Sequence, residues 1–167
     1  MPSGRTYASV DELYRTHGEK TLRLAYLLTG DRAVAEDIVQ DAFVRLLGRL
    51  KSIRDPGALQ VYVSRTVVNL AKNHRRSQAR LRSFIERGPG TSSEASLIPD
   101  IEAREGLHKS LLDLPYRQRA ALVLRYCEDL PEAEVAEALG TTPKAVRSLV
   151  GRGLATLRDP NGRIPNE

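Results

Sequence analysis

Near the C-terminus, basic and hydroxyl side chains recur at the spacing of one helix face, which is a pattern suited to DNA. With the apolar residues of this segment turned inward on the helical period, the others point outward. These are Thr142, Lys144, Arg147, Ser148 and Arg152. In a major groove, Arg147 would read guanine through two hydrogen bonds, and Lys144 and Arg152 would contact phosphates. The alternative is a helical hairpin whose basic face is only solvated.

A second cationic stretch lies in the middle of the chain. Between Arg65 and Arg87 there are seven Lys or Arg residues against one acid, Glu86. Cations and amides on one helix can follow a phosphate backbone and hydrogen-bond unstacked bases. The alternative is an exposed, well-solvated helix end. The candidate DNA contacts in this stretch are Asn69, Lys72, Asn73, Arg75 and Arg76.

Asp37, Gln40 and Asp41 stand at positions i, i+3 and i+4 and therefore share one helix face. Carboxylates would repel DNA, so this patch needs a different partner from the two cationic segments. Simple solvation is one interpretation, and docking onto a basic protein surface is the other.

The sequence offers no pattern typical of catalysis, a cofactor or a small-molecule substrate. The three histidines are scattered without metal-ligand spacing, and no glycine loop or nucleophile–base pair is visible. The single cysteine, Cys127, is expected to be a small buried hydrophobe. No apolar run approaches the length of a membrane span and no signal peptide is apparent, so we expect a cytoplasmic protein without enzymatic activity.

The elements that carry these residues are helical throughout. In the N-terminal part, Ser9 and Glu12 form a predicted capping box, and Gly30 and Asp31 end one helix and begin the next. After a turn at Asp55-Pro56-Gly57, a third helix is predicted from about Ala58 to Arg80. Three apolar stripes are expected to pack together: Val10, Leu13, Tyr14, Leu24, Ala25 and Leu28; Ala35, Ile38, Val39, Ala42, Phe43, Leu46, Leu47 and Leu50; Leu59, Tyr62, Val63, Val67, Leu70 and Ala71.

The C-terminal part predicts a helix with Leu107, Leu111 and Leu114, and another with Tyr126 turned inward. Two further helices are predicted, from Pro131 to Leu139 and from Pro143 to about Leu157. They flank a turn at Gly140, and this arrangement is typical of a helix-turn-helix. The net charge of +5 and the 41% hydrophobic content fit a folded protein that binds nucleic acid.

The predicted fold is therefore all-α, with two small helical domains joined by a flexible linker. An N-terminal helical bundle occupies residues 9–82, and a C-terminal helix-turn-helix bundle occupies residues 101–158. The linker spans residues 83–100, where Gly, Pro and Ser interrupt the helical period. Residues 159–167 are expected to form a disordered tail.

These segments together resemble the extracytoplasmic-function (ECF) RNA polymerase sigma factors, in particular the actinobacterial SigE-like group. Residues 35–46, AEDIVQDAFVRL, are similar to the family's helix that docks on the clamp helices of the largest polymerase subunit. The resemblance implies that Asp37, Gln40 and Asp41 bind core RNA polymerase.

Residues 67–76, VVNLAKNHRR, resemble the family's segment that melts and reads the −10 promoter element. The family holds a flipped base between this helix and the preceding loop. The resemblance places that loop at about Lys51 to Gln60 and makes Asn69 a pocket residue. Residues 135–140, VAEALG, and 144–148, KAVRS, resemble the region that reads the −35 element and contacts the flap of the second-largest subunit.

The chain departs from the family pattern at three places. Trp is absent near Gln60-Val61-Tyr62, and Leu130-Pro131 stands where the family often has a capping Ser or Thr. Gly151 and Gly153 are expected to cost the recognition helix about 1 kcal/mol each relative to Ala. The capping and glycine departures predict a recognition helix that becomes firm only when it is docked.

The resemblance implies a sigma factor that binds core RNA polymerase and promoter DNA. It makes an anti-sigma factor, which would hold the protein at the membrane, a candidate further partner. The main alternative is a stand-alone helix-turn-helix transcriptional regulator, and a helical adaptor that never contacts DNA is a third interpretation.

Overall fold

The computed structural model describes residues 10–84 and 105–159, and within these ranges the ordered elements are all helical. This confirms the all-α fold of two helical parts. The helices are α1 (Val10–Thr29), α2 (Arg32–Leu47), α3 (Pro56–Phe84), α4 (Glu105–Asp113), α5 (Tyr116–Leu122), α6 (Glu132–Leu139) and α7 (Pro143–Arg158). A π-helical turn, Val123–Cys127, follows α5 directly.

The N-terminal unit consists of α1, α2 and α3, packed together through the predicted stripes. Gly30 adopts φ +72°, and the Asp31 side chain accepts a hydrogen bond from the Val34 amide at 3.2 Å, so the turn between α1 and α2 forms as expected. Two stripe residues were assigned wrongly. Tyr14 is 52% exposed and stacks its edge on the Phe43 ring, and Leu47 is exposed because α2 ends there.

The third helix is longer at both ends than the sequence predicts. It begins at Pro56, which suits the first turn of a helix because proline has no amide proton to lose. The Asp55 side chain accepts the Gly57 amide at 3.1 Å and so caps the start. The loop before α3 therefore ends at Asp55, and the predicted loop up to Gln60 is wrong by five residues. At its other end α3 extends to Phe84, two residues into the predicted linker.

A second buried stripe on α3 was missed. Val61, Ser64 and Val68 lie on the side opposite the predicted stripe, yet each is at most 5% exposed. The C-terminal unit supplies the cover, because α6 packs against α3. Most of the buried apolar side chains of both units form one continuous cluster.

The C-terminal unit differs from the prediction around α4 and α5. Leu111 and Leu114 are buried as expected, but Leu107 is 49% exposed and Tyr126 is 59% exposed. Cys127, expected to be buried, is also exposed. The π-helical turn explains the last two, because its wider i→i+5 repeat shifts later residues off the α-helical face.

The helix-turn-helix is confirmed in detail. Gly140 ends α6 in the left-handed conformation, at φ +61°, and the Thr142 hydroxyl accepts the Ala145 amide at 3.2 Å at the start of α7. The helix α7 runs unbroken to Arg158. Gly153 is needed for packing, since a Cβ there would lie 2.7 Å from the Leu122 Cδ1 atom. The predicted helix-propensity cost of the two glycines stays a prediction, and for Gly153 the structure adds this packing contact.

Several predictions concern residues outside the described ranges. These are the Ser9 half of the capping box, the linker from residue 85 onward, and the tail from residue 160. Among the residues that are described, no helix has the length and apolar character to cross a membrane.

Candidate nucleic-acid and polymerase interface

The outward face of α7 carries the predicted duplex-reading side chains. Lys144, Arg147, Ser148 and Arg152 are all exposed, while Val146 on the opposite face is fully buried. Arg147 Nη1 lies 3.6 Å from Glu132 Oε2, and the two side chains are 63% and 37% exposed. An exposed pair of this length contributes little to stability, so the guanidinium stays available for DNA.

The predicted contacts on α3 lie along its second half. Asn69, Asn73, Arg75 and Arg76 are exposed, and Lys72 is half-buried. Arg75 has a further role that the sequence did not indicate. Its guanidinium lies 5.9 Å from the centre of the Tyr116 ring in the C-terminal unit, within the range of a cation–π contact.

Asn69 lines a surface cavity of about 370 Å³ between α2 and α3. Three arginines and an aromatic residue line this cavity, whereas the family resemblance indicated only Asn69 as a pocket residue. The lining residues are Arg45, Arg49, Tyr62, Arg65, Thr66 and Asn69. The sequence does contain an indication of this grouping. Arg45 and Arg49 are spaced i, i+4, which is the spacing of residues that share one helix face. We call this cavity the arginine pocket.

A neighbouring cavity of about 340 Å³ is lined by the loop before α3 together with two carboxylates of α6. The loop contributes Ile53 and Asp55, and α6 contributes Glu134 and Glu137. Tyr62 and Arg65 line both cavities, so the two adjoin. The loop predicted to hold a flipped base thus faces acidic side chains of the C-terminal unit.

Asp37, Gln40 and Asp41 are all exposed on α2, and the opposite face of that helix is buried. Glu36, beside them, is paired with Arg32 at 3.0 Å. The patch therefore presents two carboxylates and one amide to solvent. In the part of the chain that the structure describes, neither Asp37 nor Asp41 forms an ion pair.

Within residues 10–84 and 105–159, no group of three His, Cys, Asp or Glu residues is arranged to hold a metal ion. The perturbed titrations found there have structural causes. Burial lowers the pKa of His108 and raises the pKa of Glu128. Both groups lie where the two units meet, and Glu128 also lines a cavity of about 230 Å³ together with residues of α1 and α3.

Two family matches cover most of the chain. Sigma-70 region 2 matches residues 13–81, and Sigma-70, region 4 matches residues 104–157. These regions correspond to the N-terminal unit with its acidic patch and arginine pocket, and to the C-terminal unit with its helix-turn-helix. The fold and its surfaces thus define a protein of the sigma-70 class.

Relatives narrow the class. The ECF RNA polymerase sigma factor SigE of Mycolicibacterium smegmatis is 33% identical over 157 residues, covering 90% of this chain and 61% of the relative. The RNA polymerase sigma-E factors of Streptomyces coelicolor and Streptomyces avermitilis are 30% and 32% identical, and 84% and 83% of their lengths are covered. The chain belongs to the ECF sigma factors, the family whose members direct promoter-specific transcription initiation.

Solved structures agree on the fold. The sigma factor RpoE of Bartonella quintana, crystallised with the anti-sigma factor NepR, superposes with a TM-score of 0.71 at 18% identity. The match covers 92% of this chain and 98% of that one. The ECF sigma factor SigJ of Mycobacterium tuberculosis gives a TM-score of 0.61 at 30% identity, over 91% of this chain and 54% of that one.

Proposed function

We propose that this chain binds core RNA polymerase through α2 and recognises promoter DNA at two places, through α3 and through α7. The observation that carries this proposal is the separation of charge. One exposed helix face offers carboxylates, whereas two other faces offer cations and amides. Each face suits a different partner, and all lie in one ECF sigma factor.

The polymerase contact is assigned to Asp37, Gln40 and Asp41. Their exposure and their i, i+3, i+4 spacing make a compact acidic patch, which complements the basic surface expected on the clamp helices of the largest subunit. The second contact, to the flap of the second-largest subunit, is assigned to the C-terminal unit.

The −35 element is assigned to α7. Its N-terminal half bears Lys144, Arg147 and Ser148 on one exposed face, with Arg152 one turn further on. In a helix-turn-helix, the early residues of the second helix reach base edges in the major groove. The Thr142 hydroxyl caps this helix and so holds that first turn in place.

The −10 element is assigned to the arginine pocket and the exposed face of α3. Arg45, Arg49 and Arg65 can neutralise phosphates of an unpaired strand, and the Tyr62 ring offers a stacking surface. Asn69 adds an amide that can hydrogen-bond a base edge. A flipped base costs a few kcal/mol of lost stacking, which these contacts would have to offset. Asn73 and Arg76 extend the same surface along the strand.

We further propose that the chain performs no catalysis itself and acts in the cytoplasm, where promoter DNA and polymerase are found. An anti-sigma factor is a candidate partner. Related folds support this, since the RpoE of Bartonella quintana was crystallised with NepR and CnrH with the cytosolic domain of CnrY.

The test is transcription in vitro with purified core polymerase and a library of random promoter sequences. The proposal expects transcripts that require this chain and share a −10 and a −35 motif. Binding of duplex DNA by the chain alone, without transcripts, would instead favour a stand-alone helix-turn-helix regulator. Absence of both would favour a protein adaptor.

A further inference from the structure

The arginine pocket concentrates positive charge that the folded chain does not neutralise. Arg45 and Arg49 come from the end of α2 and the turn after it, and Arg65 comes from α3. All three residues are exposed, and within residues 10–84 and 105–159 none of them forms an ion pair. Because like charges around one cavity repel one another, this grouping favours a ligand that carries several negative charges.

The same pocket offers an aromatic ring and an amide. Tyr62 and Asn69 lie seven positions apart on α3, so they share the helix face that carries Arg65. The Thr66 hydroxyl on this face donates to the Tyr62 carbonyl at 2.8 Å and is therefore already used. The half-buried Tyr62 ring can stack on a base, and the exposed Asn69 amide can hydrogen-bond the edge of a purine.

The adjoining cavity determines the side on which phosphates can lie. Three carboxylates line that cavity, in which Arg65 takes part but Arg45 and Arg49 do not. Phosphates are repelled by these carboxylates and are therefore directed toward the end of α2. A base attached to such phosphates is then directed toward Tyr62 and Asn69 on α3.

The size of the pocket is suited to a small molecule. Its volume of about 370 Å³ falls within the range of about 300–1,000 Å³ that is typical of small-molecule sites. A nucleotide inside a DNA strand carries one charge on each phosphodiester, whereas a free nucleoside polyphosphate concentrates several charges on adjacent phosphates. Three arginines around one cavity match the second arrangement more closely.

We propose that the arginine pocket binds a free purine nucleoside polyphosphate, with its phosphates on Arg45, Arg49 and Arg65 and its base against Tyr62 and Asn69. The bound nucleotide excludes an unpaired promoter strand from the same cavity and so competes with recognition of the −10 element. The inference rests on the proposed function only for this competition, because nucleotide binding itself requires neither polymerase nor promoter.

Displacement of a fluorescent nucleotide from the full-length chain tests the ligand class. The probe is mant-ATP, followed by fluorescence anisotropy in magnesium-free buffer at low salt. We expect ATP to compete at least about tenfold more tightly than AMP or inorganic tripolyphosphate, because only ATP offers both a base and several phosphates. Equal competition by AMP would overturn recognition of a polyphosphate. Equal competition by tripolyphosphate would reveal a simple anion site and overturn the nucleotide proposal.

A charge-matched pair of variants tests the position of the site. Arg45→Gln/Arg49→Gln should weaken ATP binding at least about tenfold, since it removes two charged hydrogen-bond donors from the pocket. The control, Arg80→Gln/Arg82→Gln, makes the same change in net charge at exposed positions of α3 outside the pocket, and it should stay within about twofold of the wild type. Equal weakening in both pairs would assign the effect to net charge and overturn the proposed site.

Replacement of the aromatic ring tests the stacking contact. Tyr62→Leu should weaken ATP binding about fivefold or more and leave tripolyphosphate binding nearly unchanged, because the inorganic anion has no base to stack. Tripolyphosphate thus serves as an internal control for the folded state of the variant. Equal losses for the two ligands would overturn the assignment of the base to Tyr62.

A competition assay separates this inference from the proposed function. At constant ionic strength, saturating ATP should weaken binding of a fluorescein-labelled single-stranded DNA of about 20 nucleotides to the wild type, but not to Arg45→Gln/Arg49→Gln. Nucleotide binding without any effect on the strand would contradict the assignment of the −10 strand to this pocket. Binding of the strand without any binding of mant-ATP would overturn the nucleotide site and leave the proposed function intact.

Discussion

At the scale of single residues, the exposed cations of α7 differ in the interactions that they can make. Arg147 has a planar group with two parallel donors and is held only by a weak, solvated pair with Glu132. Lys144 has a point charge on a flexible stem and lies one turn earlier. The first geometry suits a base edge and the second suits a phosphate.

We therefore expect Arg147→Ala and Lys144→Ala to weaken the holoenzyme in different ways. Arg147→Ala should relax the preference at one −35 base pair, at a cost of about 1–3 kcal/mol, whereas Lys144→Ala should weaken all sequences alike. Selection of bound promoters from a random library measures both effects. An unchanged −35 preference in Arg147→Ala would contradict the assignment of α7.

His108 provides a pH dependence at the same scale. Burial, followed by the charge of Arg119, lowers the pKa of its imidazole below 6.5, so the folded chain binds this proton less readily than the unfolded chain. The free energy of unfolding should therefore fall as the pH drops below about 6.5. Glu128 acts oppositely, because burial raises the pKa of its carboxyl and protonation favours the folded state.

Replacing His108 with Gln isolates the histidine contribution, because Glu128 and His17 remain in both proteins. Between about pH 7.5 and about pH 5.5, the wild type should lose more stability than His108→Gln. Urea unfolding followed by circular dichroism measures the difference at each pH. Parallel losses in the two proteins would show that His108 titrates normally.

At the scale of elements, each helix has faces with separate tasks. The helix α2 buries one face in the core and presents Asp37, Gln40 and Asp41 on the other. The helix α7 buries Val146 and Gly153 against its own unit and presents its cations outward. Changes on an outward face should alter binding, while changes on an inward face should alter stability.

Charge reversal on α2 tests this separation. Asp37→Lys/Asp41→Lys should abolish binding to core polymerase, because two attractive contacts become repulsive. The free energy of unfolding should change by less than about 1 kcal/mol, since both residues are exposed. Pull-down with core polymerase measures the first effect and urea unfolding the second. Unchanged polymerase affinity would exclude this docking face.

The two glycines of α7 form a matched pair, because Gly151 lies on the outward face and Gly153 on the inward face. Gly151 is exposed with nothing near its Cβ position, so Gly151→Ala should stabilise the chain by about 0.5–1 kcal/mol. Gly153→Ala should destabilise it, because the new Cβ would meet Leu122 at 2.7 Å. Urea midpoints measured side by side should shift in opposite directions. A shift in the same direction would mean that α5 and α7 do not approach so closely.

At the scale of the whole molecule, the contact between the units determines which surfaces are open. The arginine pocket and the face of α7 both reach solvent, and α6 lines the cavity that adjoins the pocket. Arg119 is the centre of that contact, since its donors reach carbonyls of both α1 and α4.

Arg119→Met should therefore destabilise the folded chain by about 3 kcal/mol or more, because it leaves several buried carbonyls without donors. Arg119→Lys should recover only part of this loss, since one ammonium cannot reach the acceptors of both helices. Urea unfolding of the three proteins gives the ranking. Equal stability of wild type and Arg119→Lys would contradict the shared role of the guanidinium.

The sequence alone was sufficient for the features that depend on neighbours a few residues away. The helical period, the Gly30 and Gly140 ends, and the Asp31 and Thr142 caps all arise from local backbone chemistry. The exposed Asp37 patch and the outward face of α7 follow from the same period. The boundary at Pro56 was missed because Pro in a turn and Pro in a first helical turn share the same local pattern.

Only the tertiary structure decided the features that join distant segments. Val61 and Val68 are buried where the C-terminal unit packs on α3, and Arg119 finds an acceptor in Leu28, 91 positions away. The arginine pocket requires the end of α2 to lie beside α3. These pairings depend on which surfaces meet after the chain closes on itself, and a periodic pattern identifies an apolar or charged face without specifying its partner.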